Sequence, residues 1–64
     1  MNSQTARILA YLKTGATLTP IEALDRFGCF RLSGRIYDLK KLGHQIETTL
    51  VENDGRRFAR YRLA

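Results

Sequence analysis

The sequence predicts an α+β fold, three short helices followed by a C-terminal β-hairpin. Three observations carry this. Apolar residues recur at helical spacing as far as Gly43 and at a spacing of two after it. Strong punctuation (Gly15, Thr19-Pro20, Gly28, Gly43) divides the helical part into segments. Asn53-Asp54-Gly55 then separates two alternating runs, which is the pattern of a hairpin turn.

The first helix is expected from about Ser3 to Thr14. Ser3 suits the N-cap, Ile8, Leu9 and Leu12 fall on one face, and Gly15 follows the last turn. Ala16-Thr17-Leu18 reads as a short extended connector. The second helix has the clearest start in the chain. Thr19-Pro20-Ile21-Glu22 places a capping hydroxyl, a proline at the first helical position and a glutamate three residues after the cap. Ala23, Leu24 and Phe27 are expected to face inward, and Gly28 ends the helix. So short a helix cannot hold alone and must pack on its neighbours.

A third helix is expected over 31–42, Arg31 to Leu42, after a tight turn through Cys29 and Phe30. Leu32, Ile36, Leu39 and Leu42 form its apolar stripe, and Gly43 stops it. Its other face carries Ser33, Gly34, Tyr37 and Lys41, flanked by Arg31 and Asp38. Gly34 costs about 1 kcal/mol of helix propensity against Ala, so the thin spot suggests close approach of another helix or of a ligand backbone. The hairpin is expected over 46–63. Ile46 to Val51 alternates and is rich in β-branched residues, and Arg56 to Leu63 returns. Ala59, Tyr61 and Leu63 are taken as core-facing, which leaves Arg60 and Arg62 on the outer face.

With no internal repeat, low-complexity run or linker, residues 1–64 read as one domain. At 64 residues the chain buries only roughly 60% of its unfolded surface, enough for one modest core and no deep substrate cavity. One Cys and one His supply neither an internal disulfide nor a metal site, so no metal or other cofactor is expected. The polar N-terminus and the short apolar cluster Ile8 to Leu12 resemble neither a leader nor a membrane span. Together with the single Cys they suggest a reducing cytoplasm. Eleven Lys or Arg against six Asp or Glu leave a formal charge of +5, which favours nucleic acid or an acidic protein surface as partner.

Catalysis finds little support. His44 follows a helix end without an orienting carboxylate nearby in sequence, and Cys29 reads as a small core filler in a turn. Ser33, Asp38 and His44 have no pocket to be assembled around. The expected protein is not an enzyme.

Two short helices joined by a glycine-containing turn, the second with a polar and basic outer face, form a helix-turn-helix pattern. The appended basic hairpin is the pattern of a wing. A helix with small and polar residues outward can enter the major groove, where each base pair shows a distinct set of donors and acceptors. Hairpin arginines can meet phosphates or the neighbouring minor groove.

On these residues the chain resembles the small winged helix-turn-helix domains common in bacteriophage genomes and prophages. The resemblance covers nearly the whole chain. It lies in the helix start from Leu18 to Leu24, the Phe27-Gly28-Cys29 turn, the run Arg35 to Lys40 with Gly43 following, and the closing Tyr61-Arg62-Leu63. It implies a three-helix winged helix-turn-helix that binds double-stranded DNA, as a phage-type transcriptional regulator or DNA-architecture factor associated with the nucleoid. Similar scaffolds also serve as inhibitors, so a phage-encoded protein-interaction module acting on a host protein is the alternative. Structured RNA shares the electrostatics and stays open.

The expected DNA-binding set on the third helix is Arg31, Ser33, Gly34, Tyr37 and Lys41, with Arg31 best suited to bidentate reading of guanine. Arg35, at the border of the apolar stripe, suits either a phosphate contact or an ion pair with Asp38 or Asp25. Arg56, Arg57 and Arg60 supply the wing, part of a cluster of four arginines with Arg62 and no acid among them. Thr17 and Thr19 offer hydroxyls, although capping explains Thr19. Phe30, Tyr37 and Phe58 discriminate the readings: all three exposed and contiguous would indicate a protein interface, all buried beside an unbroken arginine stripe would indicate DNA. The helices and hairpin leave no dedicated dimerisation element, so a monomer or a weak homodimer through the first helix is expected.

Overall fold

A computed structural model of the chain describes residues 3–64. The order of elements is α1 (Ser3–Lys13), β1 (Thr17–Leu18), α2 (Pro20–Phe27), α3 (Leu32–Lys41), β2 (Ile46–Asn53) and β3 (Arg56–Leu63). The three helices and the hairpin stand where helical and alternating periodicity put them. Helix α1 starts at Ser3 itself, so the residue expected as its N-cap is helical, and position 2 lies outside the described residues.

Helix α2 is held at both ends by its own sequence. The Thr19 hydroxyl accepts from the Glu22 N–H at 3.3 Å, and the Glu22 carboxylate accepts from the Thr19 N–H at 3.0 Å. Each partner satisfies a donor that the helix start leaves unpaired. At the other end Gly28 has φ 63°, a left-handed conformation that costs glycine little, and its N–H donates to the Leu24 carbonyl at 2.9 Å.

The core is one cluster: Ile8, Leu9 and Leu12 of α1, Leu18 of β1, Ala23 of α2, Cys29 of the turn, Leu32, Ile36 and Leu39 of α3, and Ile46 of β2. Tyr11, Phe27, Tyr61 and Leu63 close its margins. Between α1 and α2, Tyr11 and Phe27 meet edge to face at 5.6 Å. Arg7 lies over Phe27 at 5.5 Å and Arg26 over Tyr11 at 5.1 Å. Stacking on aromatic faces commits these two cations to the fold.

Two residues expected inward are exposed. Leu42 has 58% of its surface in solvent. Its N–H still donates to the Asp38 carbonyl at 3.2 Å, so it stands on the helical path, about 60° round from Leu39 and at the edge of the stripe. Leu24 is 43% exposed. It stands about 100° round the helix from Ala23, and so short a helix buries only a narrow stripe.

The connector at Thr17–Leu18 is a strand. It pairs antiparallel with β3, Thr17 opposite Arg62 and Leu18 opposite Tyr61, so the hairpin becomes a three-stranded sheet in the order β1-β3-β2. Two residues are too few to show a period, and the partner lies far along the chain. Strands β2 and β3 pair from Ile46 opposite Leu63 to Asn53 opposite Arg56. Asp54 and Gly55 make the turn with φ of 52° and 73°. Positive φ at both positions is the type I′ requirement, and its twist matches that of the strands.

Candidate nucleic-acid interface

The turn between α2 and α3 sets the pose of α3. Cys29 is buried and its N–H donates to the Ala23 carbonyl at 3.1 Å, which pins the chain as it leaves α2. Phe30 is then thrown outward, 85% exposed. Helix α3 begins at Leu32, one residue later than expected, with Arg31 as its N-cap. The Arg31 carbonyl accepts from the Gly34 N–H at 3.1 Å, while its side chain makes no capping bond and stays exposed.

Beyond that cap, burial alternates as the stripe predicts: Leu32, Ile36 and Leu39 are buried, and Ser33, Tyr37, Lys40 and Lys41 are exposed. Tyr37 is 62% exposed, with the Lys41 Nζ 5.5 Å from its ring centre. Nothing lies within 4 Å of where a Cβ would stand on Gly34. Among the described residues no other helix approaches the thin spot. Gly34→Ala is expected to raise folding stability by about 1 kcal/mol through helix propensity, measured by thermal or urea unfolding, while duplex affinity drops. Unchanged affinity would mean that no backbone comes close there.

Arg35 is committed within the fold. Its Nη2 stands 3.1 Å from Asp38 Oδ2, so of the two readings left open the ion pair with Asp38 is the one observed. The Arg35 Nε is buried without a hydrogen-bond partner.

On the hairpin the alternation divides the arginines. Arg56, Phe58, Arg60 and Arg62 share the outer face of β3, whereas Arg57 shares the other face with Ala59, Tyr61 and Leu63. The set Arg56, Arg57 and Arg60 therefore does not form one surface. The cluster also has acids that its own strand lacks, supplied by β2. Arg62 donates to Glu47 Oε1 through Nη2 at 2.6 Å and Nε at 3.2 Å, and Arg57 lies 3.7 Å from Glu52. Both acids sit directly across the strand pair, a neighbourhood that only the register reveals.

Among the described residues, Lys13, Arg31, Lys40, Arg56 and Arg60 are left with no acid or aromatic partner. Lys40 was missed in the sequence, where it sits beside the apolar stripe. Arg56 and Arg60, with Thr17, Thr19, Ile21 and Phe58, line an open groove of about 620 Å³ between the outer face of the sheet and the start of α2. Phe58 is half-buried there, while Phe30 and Tyr37 are exposed, so the aromatic residues meet neither of the two discriminating patterns in full. No group of three or more His, Cys, Asp or Glu able to hold a metal occurs among the described residues, and no helix there is long and apolar enough to cross a membrane.

Comparison with known proteins fits this geometry. No curated protein and no solved structure matches the chain. A family model described as a winged helix-turn-helix domain matches residues 3–64, which takes in α1, the α2-turn-α3 unit and the whole hairpin. This architecture points to DNA as the partner. The chain belongs to the winged helix-turn-helix domain family.

Proposed function

We propose that the protein binds double-stranded DNA as a phage-type transcriptional regulator or DNA-architecture factor, with α3 in the major groove and the hairpin against the adjacent backbone. The observation that supports this most is the open outer face of α3. Ser33 and Tyr37 are exposed, Gly34 carries no overlying atom, and Arg31 at the cap is not spent on any acid. A helix start of this kind brings a guanidinium to base edges while the small residues let the backbone of DNA come near. Lys41 beside Tyr37, and Arg56 and Arg60 on the wing, suit phosphates, which fix register without reading sequence. Arg57, on the opposite face of β3 but exposed beside the turn, adds charge at the wing tip on release from its long pair with Glu52, and Arg35 acts through Asp38 as a support of the helix rather than a direct contact.

The test separates the two roles. Arg31→Ala is expected to relax base preference, whereas Arg60→Ala is expected to weaken binding to all duplexes alike and to flatten its salt dependence by about one unit of slope. Binding measured across a randomised duplex library at several salt concentrations reads both effects. Identical profiles for the two variants would remove the assignment.

Exposure of Phe30 and Tyr37 favours a second reading, a protein-interaction module that anchors these aromatic side chains in a host protein. Under that reading Phe30→Ala and Tyr37→Ala abolish partner capture and leave duplex affinity within twofold.

A further inference from the structure

Strand β2 is an edge. Among the described residues its only partner is β3, so along Ile46–Asn53 half of the backbone N–H and C=O groups point to solvent. Long exposed edges are commonly protected by lysine, proline, a bulge or an overlying loop. Here the central residues Thr48, Thr49, Leu50 and Val51 carry no charge and no proline, and their pairing with β3 runs without a break. Leu50 is 74% exposed. The two acids of the strand are drawn toward β3, Glu47 onto Arg62 and Glu52 onto Arg57. They are poorly placed to guard the open side.

We propose that this edge docks a second copy of the chain, β2 antiparallel to β2, joining two three-stranded sheets into one of six strands. Charge selects the occupant. Each copy carries +5, so contact between copies is least opposed on a surface free of cations, and β2 has no Lys, Arg or His. A nucleic acid or an acidic peptide would instead seek Arg31, Arg56 or Arg60, none of which lies on β2. A two-fold axis through the sheet at Leu50 keeps the faces in register. It sets Leu50 against Leu50 of the partner subunit, Glu52 against a threonine and Glu47 against an asparagine, so that no like charges stand opposite. The interface is self-complementary and lies apart from the outer face of α3. Its use rests on the DNA-binding reading: a dyad gives two α3 helices for two half-sites.

The experiment needs no DNA, so a failure of the DNA-binding reading would leave its result intact. Sedimentation equilibrium of the full chain is expected to show a mass rising with concentration from 7.3 kDa toward twice that value. Leu50→Glu, which sets two carboxylates face to face on the axis, is expected to weaken the dimer by roughly tenfold or more, with an unchanged far-ultraviolet circular dichroism spectrum. Leu50→Cys is expected to give a disulfide-linked dimer under mild oxidation, whereas Leu24→Cys on α2 does not. A chain that stays at 7.3 kDa up to about 1 mM, a dimer indifferent to Leu50→Glu, or equal cross-linking at both cysteines would overturn the proposal.

Discussion

Affinity for duplex DNA is expected to fall about a thousandfold between 50 mM and 200 mM monovalent salt. The figure follows from counting cations that are free to act. Arg35, Arg57 and Arg62 face acids, and Arg7, Lys13 and Arg26 belong to α1 and α2 rather than to α3 or the wing, which leaves five of the eleven basic side chains. Arg31, Lys40, Lys41, Arg56 and Arg60 remain on or beside the proposed surface. If these and Arg57 neutralise about five or six phosphates, the slope of log affinity against log salt is about −5. Fluorescence anisotropy of a labelled duplex across a salt titration measures it. A flat dependence with retained affinity would count against DNA as the partner, and a slope near −2 would confine the contact to α3 or the wing alone.

The second large effect is on stability. Leu39→Ala is expected to cost about 2–5 kcal/mol, because a fully buried leucine loses its transfer energy and leaves a cavity. A chain of this size holds only about 3–10 kcal/mol in total, so the variant loses a large share of its stability. Leu42→Ala, one helical turn later on the same sequence stripe, is expected to cost under about 0.5 kcal/mol, since Leu42 lies mostly in solvent. Urea unfolding followed by circular dichroism compares the two. Similar losses at both positions would contradict the C-terminal boundary of α3.

This pair of leucines shows how far the sequence carries. Leu32, Ile36 and Leu39 lie within a continuous helix, where a period of 3.6 holds and burial can be read from spacing. Leu42 continues the same period but is the cap residue at the margin of the stripe, and spacing alone does not say how far the core extends. The capping box, the Gly28 cap and the Asp54-Gly55 turn were legible for a related reason: each is decided by a few neighbouring residues through local hydrogen bonds or positive φ.

The site was legible only in part. Exposure of Ser33 and Lys41 follows from the helix period, and Arg31 from its place before the first turn, whereas the sequence left Tyr37 open between solvent and packing under the wing. The state of each arginine does not. Arg35 turned to Asp38, three residues on, while the sequence left a phosphate contact and a pair with Asp25 open as well. Arg57 and Arg62 found acids on β2, fifteen residues away in the case of Glu47 and Arg62. The two-residue strand at Thr17–Leu18 was hidden for the same reason, since its pairing exists only once β3 arrives.

By itself the sequence determined the order of helices and hairpin, their caps and turns, the apolar stripes and the basic character of the chain. These depend on residues within a turn or two of one another. Tertiary structure decided which cations remain free, which acids stand across from the wing arginines and which strand is left as an edge. Each of those depends on register between distant segments, and a shift of one residue in register moves every side chain of a strand to the opposite face.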